Sequence, residues 1–286
     1  MIYILLSVVF NTLLFIILKL FSRYNVNTIQ ALVVNYIVAF GTGLLLNDFT
    51  FKFSEISQKP WYWGSVFLAF LFISVFYVTA LTAQQNGLSV ATVASKMSVI
   101  IPISAGFFLF NDAMGFQKII GIILALFAVY FTSKKEKGSV TVHSNLTLPV
   151  LVFFGAGTID TTLKILEHHY LPDSEIPLFS SHTFLIAFGL GMIIIGFLTW
   201  KYHQKIEGKT ILAGILLGIP NYFALYFVIK MLSTTVFESS TIFTIHNVAI
   251  VLLSTLVGIL FFQEKINKQN GFGILLALVA IFLVSN

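Results

Sequence analysis

"IVAFGTG" occupies residues 37–43 and "LIAFGLG" residues 185–191. Each carries Ala-Phe-Gly-x-Gly, as Ala39-Phe40-Gly41 with Gly43 and as Ala187-Phe188-Gly189 with Gly191, at a spacing of 148 residues. Within each copy the outer Ala and Gly are small residues four apart, a spacing that lets helices approach closely in lipid. A seam written twice raises the question of whether the whole chain is written twice.

The surroundings of the two seams are apolar. Of 286 residues, 58% are hydrophobic and only 9% charged. Mean hydropathy is +0.96, more apolar surface than one water-facing core could bury. Runs of the roughly 20 apolar residues that cross a bilayer recur along the whole length. The first, from Met1, has no basic leader or small-residue cleavage site and reads as a span, not a signal peptide. With no cysteine, disulfides, thiolate catalysis and Cys-metal sites are excluded. The net charge of +5 resides in short connections between apolar runs, the pattern that orients membrane proteins, so a nucleic-acid partner is not expected.

Polar clusters and prolines divide the chain into ten expected spans, near 1–20, 27–47, 61–82, 88–110, 116–133, 146–166, 179–200, 210–230, 237–262 and 270–286. The fold class is therefore all-α, a polytopic membrane protein. Trp61, Tyr62 and Trp63, directly after Pro60, read as an interfacial aromatic belt.

The repeat extends beyond the seams. At a shift of 152, "FNDAMGFQKIIGIILALFAVYF" (110–131) meets "FQEKINKQNGFGILLALVAIFL" (262–283), matching Phe110 with Phe262, Asp112 with Glu264, Gly121 with Gly273 and Ala125 with Ala277. Lys19-Leu20 and Lys164-Ile165 correspond at a shift of 145. Three matches in one order indicate duplication. Residues 1–133 form the first five-helix repeat, 134–145 a basic linker with Lys134, Lys135 and Lys137, and 146–286 the second repeat. Five being odd, the second copy enters the membrane in the opposite sense, the inverted arrangement common in secondary transporters. Loops after odd-numbered spans hold Arg23, Lys201, Lys205, Lys209, Lys265, Lys268 and the linker lysines, against Lys52, Lys59 and Lys118 after even ones. By the positive-inside rule both termini lie outside.

These residues resemble the drug/metabolite transporter superfamily, and within it the ten-span EamA-type permeases. The pattern closing each repeat carries the resemblance: a long apolar span, an acid, a polar turn and a Gly-rich span, as Phe110-Asn111-Asp112 to Gly121 and Phe262-Gln263-Glu264 to Gly273. Glu264 matches the family's usual glutamate and Asp112 departs from it; Lys19 and Lys164 also resemble family positions. The resemblance covers essentially the whole chain. It implies a helical permease of a bacterial inner membrane with a central cavity lined mainly by spans 1, 3, 4, 6, 8 and 9. The small multidrug members carry a titratable glutamate in the first span, whose place falls at or near Asn11, so their antiport mechanism does not carry over.

Polar groups at membrane depth are costly, which makes each a functional candidate. Asp160 and Lys164 are i, i+4 in span 6; Asp160 reads as a proton site or an anchor for a substrate amine, or as a structural ion pair with Lys164. Lys96 lies about 10 Å into span 4, at 1.5 Å per residue from Ser89, and reads as a cavity cation for a carboxylate or phosphate, or as a lysine pairing with a carbonyl or snorkelling. In span 9, His246 and Asn247 correspond to Ala94 and Ser95 of span 4. Tyr222, Tyr226 and Lys230 form a stripe after Pro220 in span 8, with Tyr77 a weaker counterpart in span 3. Asn11 is a candidate binding residue too, although it and Asn35 also suit interhelical hydrogen bonding. His182 reads as peripheral. The candidate substrate-binding set is thus Asn11, Tyr77, Lys96, Asp160, Lys164, Tyr222, Tyr226, His246 and Asn247.

Two patterns point elsewhere. His168 and Asp173 have the spacing of an acyltransferase HxxxxD motif, and Glu167-His168-His169 could touch a metal. Both fall in a short Pro-bounded loop without a convergent third group. No catalytic residue, metal or cofactor is therefore expected, and the chain is not read as an enzyme. The expectation is a secondary transporter moving a small polar metabolite, such as an amino acid, by alternating access. Its partners are the solute and the lipid bilayer, with proton or counter-solute coupling left open, and a monomer expected over a dimer. The alternatives are an intramembrane enzyme acting on lipid-linked substrates and a small-drug exporter.

Overall fold

A computed structural model describes residues 2–46, 53–102, 104, 116–133, 146–202, 206–233 and 239–285. Among these residues the chain is all-helical, without strands. In order the helices are α1 (Ile2–Arg23), α2 (Thr28–Leu46), the short α3 (Phe53–Ile56), α4 (Tyr62–Gln85), α5 (Leu88–Met97), α6 (Phe116–Ser133), α7 (Thr147–His169), α8 (Ile176–Tyr202), α9 (Gly208–Leu232), α10 (Ser239–Phe262) and α11 (Lys268–Ser285). A 3-10 turn, Asp173–Glu175, precedes α8. Among the described residues, seven helices have segments long and apolar enough to cross a membrane, and three shorter apolar helices run Leu88–Pro102, Ile119–Thr132 and Lys268–Leu283. Several long helices of this kind fit a multi-pass membrane protein.

Local chemistry sets the helix ends. Asn27 Oδ1 accepts from Gln30 N (3.3 Å) at the start of α2, and Asn267 Oδ1 from Asn270 N (2.7 Å) at the start of α11, each satisfying an amide that the helix cannot. Inside the helices, hydroxyls bond back to the preceding turn. Thr82 reaches Val78 O (2.7 Å), Thr132 reaches Ala128 O (2.8 Å) and Thr183 reaches Phe179 O (2.9 Å), so these polar side chains need no partner from lipid.

The span expected over 88–110 is not one continuous helix. α5 stops at Met97, Ser98 and Val99 form a turn, and helix resumes at Ile100. Pro102 explains the break. It has no N–H for the Ser98 carbonyl four residues back, and its ring crowds that carbonyl. Ile101 N takes the Ser98 oxygen instead, at 2.8 Å.

The chain packs as two units, Met1–Tyr77 with Thr162–Thr234 and Val78–Thr161 with Thr235–Asn286. Each unit draws on both halves of the sequence. In the first, α9 packs on α1 and α2, and α2 packs on α8. Small residues set these approaches: a Cβ on Gly43 would collide with Ser181 Oγ, and one on Gly191 with Val33 Cγ2. Ala39 and Ala187 are fully buried, whereas Gly41 and Gly189 face open space. The small residues four apart are therefore packing seams. A second seam, Gly214 and Gly218 on α9, rests on α2, where a Cβ at Gly218 would come within 2.6 Å of Val38 Cβ and 2.8 Å of Asn35 O. Across that contact Asn221 Nδ2 donates to Asn35 Oδ1 at 3.0 Å, giving Asn35 the interhelical role expected of it.

In the second unit α6 packs on α11, α5 on α10 and α6, and α10 on α11. Its core is rich in fully buried alanines, among them Ala94, Ala125, Ala128, Ala277 and Ala280, which let the helices come close. Asn270 Nδ2 donates to the Phe131 and Thr132 carbonyls (3.2 and 2.7 Å), capping the end of α6 from α11.

Three expectations change in the first unit. Trp61 is not part of an outward belt: it is 0% exposed and its Nε1 donates to Glu175 Oε2 at 2.6 Å, while Trp63, 76% exposed, does face outward. Nor is His182 peripheral. It is fully buried, and its Nδ1 hydrogen-bonds the Ser65 hydroxyl at 2.7 Å, because a polar ring at that depth must find a polar partner. Asn11 bonds within its own helix, its Nδ2 donating to Ser7 O at 3.0 Å. Asp112 lies outside the described residues.

Candidate functional site

The nine candidate residues fall into two groups, one in each unit. Lys96, Asp160, His246 and Asn247 belong to the second unit; Asn11, Tyr77, Lys164, Tyr222 and Tyr226 belong to the first.

The second unit assembles the stronger chemistry. Lys96 stands near the end of α5, about 12 Å from its start at 1.5 Å per residue. Asp160 is in the middle of α7, 13 residues past Thr147. The two lie within electrostatic reach of each other, and the Ser98 hydroxyl is within hydrogen-bonding reach of the Asp160 carboxylate. That hydroxyl also donates to Ser95 O at 2.5 Å; with one proton it can serve only one acceptor at a time. Lys96 also lies within electrostatic reach of His246, which hydrogen-bonds Asn247 beside it on α10. His246 and Asn247 are buried, and Lys96 and Asp160 are half-buried residues whose charged ends lie within the protein.

Opposite charges at this depth persist only when each has a partner. Asp160 finds its counter-charge on α5 and not on its own helix, where the i+4 spacing offered Lys164. Lys164 interacts instead with Glu167, three residues further along. The Ser98–Val99 break adds backbone polar groups beside Lys96. Irregular backbone at membrane depth is tolerated where it is buried in protein or lines a polar space.

The first-unit candidates form a drier arrangement. Tyr222 is fully buried, its ring packed against Phe184 (6.4 Å between centroids), Phe223 (5.6 Å) and Tyr226 (6.1 Å). Tyr226 and Tyr77 are half-buried. Phe10 of α1 stacks on Phe223 and Phe227 at 5.2 and 5.7 Å, so the aromatic face of α9 is mostly helix-packing surface. Lys230, the end of the expected stripe, pairs with Asp173 at 3.2 Å.

That pairing occupies one half of the HxxxxD spacing and is mirrored two residues on. Glu175 accepts from Lys59 Nζ (2.6 Å) and from Trp61 Nε1 (2.6 Å). The 3-10 turn is thus held by two lysines, Lys230 in the last turn of α9 and Lys59 in the connection between α3 and α4. Glu167, His168 and His169 remain at the end of α7, and among the described residues no group of three or more His, Asp or Glu side chains is arranged to hold a metal ion.

Two features escaped the sequence reading. The helix break at Ser98 was signalled by Pro102, which follows a polar serine by four residues. The Trp61–Glu175 and Ser65–His182 bonds span more than 100 residues and left no local signal.

No family model matches the chain. An uncharacterized protein of Haemophilus influenzae is 28% identical to it over 278 residues, covering 93% of this chain and 91% of that protein. A protein of known crystal structure shares the fold, with a TM-score of 0.60 over 97% of this chain and 95% of that one, at 12% sequence identity.

Proposed function

We propose that the chain is a secondary transporter that moves a small polar solute, such as an amino acid, by alternating access, with the Lys96–Asp160 pair as its solute-binding centre. The observation that carries this reading is the pair itself: two opposite charges within electrostatic reach of each other, Asp160 in the middle of α7 and Lys96 near the end of α5, beside a helix break. Taking two opposite charges out of water carries a desolvation cost that can exceed their mutual attraction, so such a pair is a poor stabilising device. Each member of the pair can exchange its internal partner for the carboxylate, phosphate or ammonium of a ligand.

The architecture supports the same reading. Three shorter apolar helices beside the seven long ones favour ten spans. Spans that correspond in the two halves pack on each other, α2 on α8, α5 on α10 and α6 on α11, as expected of two copies of one five-span unit. The resemblance to EamA-type permeases of the drug/metabolite superfamily agrees, and a bacterial relative fits a bacterial inner membrane. Lysines concentrated after odd-numbered spans favour both termini outside.

The test is uptake and efflux of a labelled amino-acid mixture in proteoliposomes, with and without a pH gradient. The parent chain should move label, and Lys96→Gln or Asp160→Asn should reduce the flux on the order of tenfold or more. Chemical change of a lipid with no solute movement would replace this reading by an intramembrane enzyme. Flux of lipophilic cations alone would replace it by a drug exporter.

A further inference from the structure

The acid that closes the second repeat, Glu264, has no place in the solute site, yet the structure puts its carboxylate against α5. Glu264 Oε1 accepts from Leu88 N at 2.5 Å, and Oε2 from Ser89 N at 3.3 Å and Ser89 Oγ at 3.2 Å. α5 needs this. Its first amides have no partner within the helix, and Gly87, the residue at its N-cap, has no side chain to offer. A carboxylate there also faces the positive end of the helix dipole.

The surroundings are shaped for this contact. Gln263 takes a left-handed conformation, φ 52°, which turns the chain back after α10, and Glu264 N bonds Gly258 O at 3.0 Å. Two glycines leave room for the carboxylate. A Cβ on Gly258 would come 2.8 Å from Glu264 Oε2, and one on Gly87, itself at φ 117°, 3.1 Å from Oε1.

α5 is ten residues long and ends directly after Lys96, at the Ser98–Val99 turn, and helix resumes at Ile100. The Glu264 cap therefore holds one of its two ends. One further polar rung, Ser254 Oγ to Thr92 Oγ1 at 2.9 Å, joins it to α10. α10 carries His246 and Asn247, and Glu264 follows its last turn, so the cap fixes α5 and Lys96 against the helix that bears these two residues.

We infer that Glu264 is a positioning residue, whose carboxylate caps α5 and thereby holds Lys96 in register with Asp160 and His246. That Lys96 serves a solute rests on the transporter reading; that Glu264 sets its position does not. The chain has no cysteine, so Lys96→Cys provides one reporter thiol. Beside the Asp160 carboxylate this thiol should react several-fold faster with a cationic methanethiosulfonate than with an anionic one. Adding Glu264→Ala should bring the two rates within about twofold and raise hydrogen exchange at the Leu88 and Ser89 amides on the order of tenfold. Glu264→Asp should restore most of both, which a loss of packing volume alone would not do. If Glu264→Ala fails to fold, Glu264→Gln, which keeps the volume and loses the charge, replaces it with the same expected direction.

In the transport arm, on the otherwise native chain with a labelled amino-acid mixture, Glu264→Gln should raise KM several-fold with little change in maximal rate. Unchanged reagent selectivity and unchanged exchange in the Glu264 variants overturn the positioning role, whatever transport shows. If these two readouts respond but Lys96→Gln leaves uptake intact, the positioning role stands and the solute assignment to Lys96 falls.

Discussion

Asn221 Nδ2 donates to Asn35 Oδ1 at 3.0 Å, and both side chains are buried where α9 crosses α2. In lipid such a bond contributes about 0.6 to 2 kcal/mol, because the separated helices also find partners for their amides. Asn35→Ala and Asn221→Ala should each lower resistance to unfolding in mixed micelles by about that much. In a double-mutant cycle the second substitution should cost less than the first. Strictly additive losses would show that the two amides are not coupled.

The packing seams separate glycines that must be small from glycines that need not be. Gly43→Val and Gly191→Val force side chains into Ser181 and Val33, and overpacking of this kind costs about 1–3 kcal/mol. Gly41→Ala and Gly189→Ala, which point into open space, should hold or raise the thermal midpoint. A thermal-shift series in one detergent compares all four, and equal losses would contradict the seam.

Glu175 receives one bond from Lys59 and one from a fully buried Trp61. Trp61→Phe keeps most of the ring and removes the donor, so it should cost about 1–3 kcal/mol, the usual penalty for a bond to a charged acceptor. The exposed pair Lys209–Glu207 is the control. Lys209→Ala should change the thermal midpoint hardly at all, as exposed pairs contribute about 0–1 kcal/mol.

Pro102→Ala returns an N–H to the position facing the Ser98 carbonyl, so the helix can close across the break. The expected result is a chain at least as stable as the parent whose transport of a labelled amino-acid mixture falls on the order of tenfold. Parent-like transport would show that the break beside Lys96 plays no part in function.

Charge reversal separates structure from binding at the central pair. In Lys96→Asp with Asp160→Lys the two charges still attract, so folding should recover relative to either single change. Transport should not recover, because the polarity offered to a ligand is inverted. Recovery of both would make the pair structural.

The helices were largely legible because bilayer length and apolar runs leave few choices. α2, α6, α8 and α10 fall within about three residues of the expected spans. Lys96, Asp160 and His246 stood out because charge and polarity at depth are rare. Their pairing was not legible. The i, i+4 rule pointed Asp160 at Lys164 on the same helix, while the structure supplies a counter-charge 64 positions earlier in the chain, a relationship that no local spacing encodes. Burial of Trp61 and His182 was missed for the same reason, since each is fixed by a residue more than 100 positions away.

Each packing unit is assembled from both halves of the sequence, which bears on how the protein is made. During synthesis neither unit can complete its core until the later half has emerged: α2 waits for α8 and α9, and α6 waits for α11. Severed between its halves, the chain should yield two fragments that are each degraded alone yet rescue one another when produced together. The two halves of the sequence are then obligate co-folders, and a gene that parted them could survive only by keeping both.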